Sequence, residues 1–230
     1  MLEYSKVYIT RNIKETDFFK TTMEKVGFAV FGESLIEFSA VNFNLNPDVD
    51  WLFFYSKNGG RFFFNQLNNN QLEIIKNKKI GTIGSGTAQF LAENYNRKSN
   101  FIGTGEPMQT SRAFAQIAAG QKVIFPRAKQ SKKSIQQQLS SVVTVIDLIV
   151  YENRPKSQIE IPETDILVFT SPMNARIYFE KYDLKSSQKV VAIGHTTGNE
   201  LLKIGVQNVV AKYPSERGLA EAVLEIKTES

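Results

Sequence analysis

Apolar residues fall into two patterns along this chain. Short unbroken runs, such as Trp51-Leu-Phe-Phe-Tyr55, Val123-Ile-Phe125, Ile166-Leu-Val-Phe169 and Val190-Val-Ala-Ile193, show no alternation of apolar and polar positions. A strand of that kind is covered on both faces, as in a parallel sheet between helices. Elsewhere apolar positions return at helical spacing, as at Phe18, Phe19, Met23 and Val26. Strands are therefore predicted over 6–10, 28–31, 51–55, 79–83, 101–102, 122–125, 144–150, 166–170, 189–193 and 208–211. Helices are predicted over 16–26, 60–67, 87–95 and 111–119, with more between the later strands. Strand and helix in alternation place the chain in the α/β class, of the doubly wound kind.

The pattern repeats. Asp50 to Phe64 lies over Asp165 to Phe179, displaced by 115 residues, with six identities in fifteen positions. Ile83 to Leu91 lies over Ile193 to Leu201, displaced by 110, with four identities in nine. Val7-Tyr-Ile-Thr-Arg11 lies over Val123-Ile-Phe-Pro-Arg127, and Pro107 to Ile117 over Pro214 to Leu224. The matches keep their order, which points to an internal duplication. Two stretches rich in Pro, Asn and charge break the rhythm and read as linkers, over 36–46 and 151–162. They would isolate a middle domain over 47–150 and leave an outer, discontinuous domain of 1–35 plus 163–230. A cleft between two such lobes is a natural place for a ligand.

Composition narrows the chemistry. There is no cysteine and one histidine, His195, among 230 residues. Disulfides, thiolate metal sites and cysteine nucleophiles are excluded, and one imidazole leaves little for His-based catalysis. His-rich metal clusters are excluded as well. Charge appears too early in Met1 to Arg11 for a signal peptide, and Asp147 interrupts the most apolar stretch, Val142 to Tyr151. The expectation is a cytoplasmic protein that does not enter a membrane. The net charge is +5, and its one lysine-dense stretch, Lys122 to Lys133, reads as a solvated face, so no nucleic-acid partner is expected. The sign of the charge suits a small polyanion.

Candidate binding residues cluster where strands turn into helices. Gly81-Thr-Ile-Gly84-Ser-Gly86-Thr87 has the order G-x-x-G-x-G, neither the dinucleotide fingerprint nor a P-loop. Thr87 either caps a helix or helps the turn hold a carboxylate or phosphate. Ser56 and Ser171 have the same two readings, cap or anion contact, and Thr196 and Thr197 fall at an equivalent turn. Five hydroxyls at helix starts suit a ligand with several carboxylates. Arg11 and Arg127 end matched strands and either grip a carboxylate bidentately or close local salt bridges. Lys189 flanks a strand, and His195 reads as a surface or capping residue. Tyr151, where the second linker begins, is either a packed aromatic or a phenol facing the cleft.

Val7-Tyr-Ile-Thr-Arg11, Tyr55-Ser-Lys-Asn58, Ile83-Gly-Ser-Gly-Thr87, Phe125-Pro-Arg-Ala128, Val150-Tyr151, Phe169-Thr-Ser-Pro172 and Val191-Ala-Ile-Gly-His-Thr-Thr197 together resemble the bacterial uroporphyrinogen-III synthases. The resemblance is diffuse but covers nearly the whole chain. It implies two flavodoxin-like domains joined by two linker strands. It also implies a lyase that uses no metal or cofactor and cyclises hydroxymethylbilane with loss of water and inversion of ring D. By the same resemblance, Tyr151 helps the hydroxyl leave. Thr87 matches the substrate-binding threonine of the Gly-x-x-Thr turn, Ser171 and Thr197 match residues that contact substrate carboxylates, and Ser56 and Lys189 match weaker positions. A monomer in transient contact with the upstream deaminase is implied too. Two departures stand out: His195 where Pro is common, and Gly59-Gly60 where Ala-Val is common, which suggests a looser helix start. A non-catalytic two-lobe binding protein is the competing reading.

Overall fold

The computed structural model describes residues 5–228. The chain opens with β1 (Ser5–Ile9), α1 (Phe18–Lys25), β2 (Phe28–Gly32) and β3 (Ile36–Ala40). It continues through β4 (Trp51–Phe54), α2 (Lys57–Phe64), α3 (Asn69–Ile75), β5 (Lys79–Thr82) and α4 (Ser85–Tyr95). Then come β6 (Phe101–Ile102), α5 (Pro107–Ala118), β7 (Lys122–Ala128), α6 (Ser134–Leu139) and β8 (Thr144–Pro155). The last stretch holds β9 (Ile166–Phe169), α7 (Pro172–Phe179), β10 (Lys189–Ala192), α8 (His195–Lys203), β11 (Val209–Val210) and α9 (Glu216–Thr228). Two compact units result, Phe38–Arg154 and the remainder on either side of it.

The first unit, formed by both ends of the chain, holds a five-stranded sheet in the order β2-β1-β9-β10-β11. Its recorded pairings are parallel. Val7, Ile9 and Val168 pack on one face with Phe19, Met23, Leu219 and Val223. Tyr8, Leu167 and Phe169 pack on the other with Ala175, Tyr178 and Leu201. Alternate residues of one strand thus enter different cores, which is why these strands are apolar throughout.

The Phe38–Arg154 unit holds a six-stranded sheet in the order β3-β8-β7-β4-β5-β6. Leu52 and Phe54 enter one core and Trp51, Phe53 and Phe125 the other. Apart from the added edge strand β3, its order reproduces that of the first unit, with β7 and β8 in the places of β1 and β2. The register agrees: Val7 pairs with Ile166 in one sheet and Val123 with Trp51 in the other. These are the residues that the sequence repeat superposes. The same spatial order is reached from a different starting strand, so each unit draws on both halves of the repeat.

Element edges depart from the sequence reading for local reasons. Helix α2 starts at Lys57 rather than 60 because Ser56 caps it, its Oγ accepting from the Gly59 N–H at 3.1 Å. Helix α4 starts at Ser85, with Gly84 at its cap, so Thr87 lies inside the first turn and is not a capping residue. The polar run Asn68-Asn-Asn-Gln71 hides a capping box that opens α3. Residues 36–40, within the first linker stretch, form edge strand β3, and β8 runs on to Pro155, well past 150. Both lie in the six-stranded sheet, which supplies the partner hydrogen bonds that sequence periodicity does not reveal.

Candidate active site

An open parallel sheet has a crevice at the C-terminal ends of its strands where the chain order reverses. In Phe38–Arg154 that point lies between β4 and β7. A cavity of about 230 Å3 opens there, lined by Tyr55, Ser56, Arg127, Gln130, Tyr151 and Asn153 among others. That volume is below the ~300–1,000 Å3 that encloses a drug-sized ligand, and suits a single small ring.

Tyr151 is aimed here by a bulge. Arg127 pairs with Ile149 and Ala128 with Tyr151, so Val150 is the extra residue on β8. A bulge of this kind redirects the next side chain. The Val150 carbonyl is not wasted, accepting from the Val41 N–H and from Gln66 Nε2, each at 3.0 Å. The Tyr151 ring stacks on Phe62 at 4.9 Å and meets the edge of Phe38 at 5.9 Å, leaving 7% of the residue exposed. Burial pushes its phenol above the ordinary value, and the Ser56 side chain beside it draws it partly back. The phenol therefore stays protonated through neutral pH, the state needed to donate a proton.

Ser56 thus has two neighbours, the backbone of α2 and the phenol. Its approach depends on Gly59. A Cβ at that position would stand 2.9 Å from the Pro126 carbonyl, so only glycine lets α2 lie this close to β7. The helix start is tight, not loose, contrary to the expectation from Gly59-Gly60.

Arg127 is buried, and the carboxylate it grips is the protein's own. Its Nε and Nη2 each reach Asp147 at 2.5 Å, and Nη1 donates to the carbonyls of Ala128 and Lys129. The bidentate geometry read from the sequence is therefore spent on a local salt bridge. Gln136 and Lys133 also reach Asp147, which holds its carboxyl well below the usual range, chiefly through Arg127. Arg11 is committed in the same way, with Nη2 on Glu216 at 2.5 Å and on Asp17 at 3.3 Å. It ties the end of β1 to the starts of α1 and α9.

In the other unit, Ser171 caps α7, accepting from the Asn174 N–H at 3.2 Å. Its backbone angles, −161° and 155°, nearly repeat those of Ser56, −156° and 160°. Thr197 is buried in the first turn of α8, as Thr87 is in α4, while His195 and Thr196 are exposed there. Ser171, Thr196 and Thr197 follow the C-terminal ends of β9 and β10. Lys189 does not join them: it begins β10 opposite Ile166, at the N-terminal end of the strands. The switch point of this unit, between β1 and β9, is filled. Thr170 donates to the Thr10 carbonyl at 2.7 Å, Asn174 Nδ2 donates to the same carbonyl, and Asn174 Oδ1 accepts from the Leu35 N–H. A larger groove of about 450 Å3, beside Arg176, Phe179 and Tyr182, contains none of the hydroxyls considered above.

A buried protonated phenol at an open switch point can discharge a leaving hydroxyl as water. The family model of the uroporphyrinogen-III synthase HemD matches residues 17–221. The chain belongs to the uroporphyrinogen-III synthase family. The uroporphyrinogen-III synthase of Chlorobaculum parvum is 26% identical over 248 residues, covering 95% of this chain and 98% of that one. A uroporphyrinogen-III synthetase from Helicobacter pylori has the same fold, with a TM-score of 0.76 at 21% identity over 96% of this chain and 99% of that one. A mutant uroporphyrinogen III synthase from Thermus thermophilus gives a TM-score of 0.57 at 16% identity, over 98% and 100% of the two chains. Among the described residues no helix is long and apolar enough to cross a membrane. For a synthase of this family, sequence reasoning passed over Asn153, which lies two residues beyond Tyr151 on β8 and lines the same cavity. The period-two rule for strands, applied to 151, would have found it.

Proposed function

We propose that this chain is an active uroporphyrinogen-III synthase in which Tyr151 donates the proton that releases the substrate hydroxyl. The observation that carries the reading is the protonated, buried phenol at the one switch-point cavity of the Phe38–Arg154 unit. In this reading the hydroxymethyl-bearing ring of hydroxymethylbilane occupies the cavity. Its C–O bond breaks, the Tyr151 proton makes the leaving group water, and the ring nitrogen supplies the electron pair. The resulting azafulvenium cation is attacked by ring D at its substituted carbon. Reclosure of that spiro intermediate inverts ring D. Proton transfer from a placed group contributes about 10²–10⁴ in rate. Holding the bilane in the conformation for attack supplies much of the rest.

Ser56 orients the phenol, and we assign Thr87, Ser171, Thr196 and Thr197 to the substrate's carboxylates. Arg11 and Arg127 serve the fold, and Lys189 stands at the wrong strand end for the hydroxyl set. A monomeric cytoplasmic chain in transient contact with the deaminase is part of the same reading, and sedimentation with and without that deaminase tests it. The activity is tested by supplying fresh hydroxymethylbilane and separating the isomers. The reading predicts type III; type I alone, the product of spontaneous closure, refutes it and favours a non-catalytic binding protein.

A further inference from the structure

Asn153 lines the Tyr151 cavity and carries an acceptor unmet within the protein. Its Oδ1 is buried and has no hydrogen-bond partner. Other buried side-chain atoms among the described residues lack partners too, on Arg11, Thr82, Ser99, Thr164 and Asn208, but none of those residues lines this cavity. The Asn153 backbone is fixed independently of its side chain. Its N–H donates to Gln130 Oε1 at 3.1 Å, and its carbonyl accepts from Gln130 Nε2 at 2.9 Å. The contrast is Asn174, whose amide uses both ends at the filled switch point of the other unit, at 2.9 and 3.0 Å. A buried acceptor left empty costs free energy, so a donor that arrives with the ligand is its natural partner.

We infer that Asn153 Oδ1 accepts the ring N–H of the pyrrole that loses its hydroxyl beside Tyr151. The inference rests on the synthase reading above and adds a catalytic residue to it. As the C–O bond breaks, its electron pair leaves on oxygen and the phenol proton completes the water. The nitrogen lone pair moves toward the former hydroxymethyl carbon, leaving the N–H on a cationic ring. That N–H is a far stronger donor than in the neutral pyrrole. The bond to Oδ1 therefore tightens in the transition state, which raises kcat more than it lowers KM. The Tyr151 phenolate is reprotonated by the proton that ring D sheds when the macrocycle regains its aromatic pyrroles, so protons balance over the cycle.

The test compares wild type, Asn153→Leu and Asn153→Asp with hydroxymethylbilane, reading kcat, KM, the type III to type I ratio and the melting temperature. Leucine is close in shape and removes the acceptor; aspartate keeps an oxygen in place. We expect Asn153→Leu to lose about 100-fold in kcat for type III, the scale of removing one transition-state hydrogen bond. Its KM should change little, and its melting temperature should be unchanged or higher, because Oδ1 has no partner to lose in the protein. Asn153→Asp should stay within about 10-fold of wild type. The inference is overturned if Asn153→Leu matches wild type, if its activity falls only in step with melting temperature, or if Asn153→Asp is as damaged as leucine. Wild type yielding type I alone would instead refute the synthase reading itself, a result distinct from all three.

Discussion

Two serines that look alike in sequence separate once their neighbours are known. Ser171 caps α7 and Ser56 caps α2, each accepting a backbone N–H three residues on. Ser171→Ala should cost about 1 kcal/mol, read as a shift in the urea midpoint. Ser56→Ala should cost a similar amount of stability and also raise the Tyr151 pKa, since the Ser56 hydroxyl favours the phenolate. Activity in that variant should persist to higher pH than in wild type; an alkaline limb that moves downward or not at all contradicts the contact. Asp147 gives a stability test. Its carboxyl is held low in the folded state by Arg127, so the pair's contribution is complete above the ordinary carboxylate range and is lost as pH falls through and below it. Asp147→Asn leaves a buried guanidinium short of a partner and should cost about 3 kcal/mol, the low end for a buried pair because Asp147 is one-third exposed. Denaturation at pH 7 and pH 3 checks this: the gap between variant and wild type should narrow in acid. The capping serines were legible in sequence from their position after apolar runs. The fate of Arg127 was not, because Asp147 comes twenty residues later and only strand pairing brings the two together.

At the scale of elements, the repeat explains why the strands were readable and some helix starts were not. Runs such as Trp51 to Phe54 and Ile166 to Phe169 are buried on both faces, so their apolar character is continuous. Helix starts depend on single caps: Lys57 and Ser85 open helices although neither is apolar, and their caps, Ser56 and Gly84, are invisible to periodicity. Strand β3 and the end of β8 escaped because edge pairing satisfies polar stretches that read as linkers. Glycines in these elements are packing devices. A Cβ on Gly81 would lie 2.7 Å from the Phe53 ring, inside the core, and Gly81→Ala should cost about 1–3 kcal/mol. Gly59→Ala is the sharper case, since the obstacle is the Pro126 backbone, which cannot swing aside. Displacing α2 should separate Ser56 from Tyr151, lowering activity and shifting the alkaline limb of the pH profile upward, as Ser56→Ala does. If Gly59→Ala leaves both unchanged, the close packing of α2 has no bearing on the phenol.

The whole molecule uses one sheet order twice, with the chain entering it at different strands. The same switch point is filled in one unit by Thr10, Thr170 and Asn174 and left open in the other beside Tyr151. In the proposed reading the chemistry takes place at the open one, a choice that could not be read from the repeat, which matches the two halves without saying which cavity survives. The absence of cysteine and the single, exposed His195 fit the proposed mechanism, which assigns the loss of water and the ring closure to a phenol, an amide and a set of hydroxyls. The most direct measurement is the rate of type III formation by wild type and Tyr151→Phe from hydroxymethylbilane, across neutral to alkaline pH. The account predicts type III from wild type with activity falling only on the alkaline side. It predicts a Phe variant that is folded, at least about 100-fold slower, and free of that alkaline limb. A folded Tyr151→Phe protein that makes type III at the wild-type rate would contradict it.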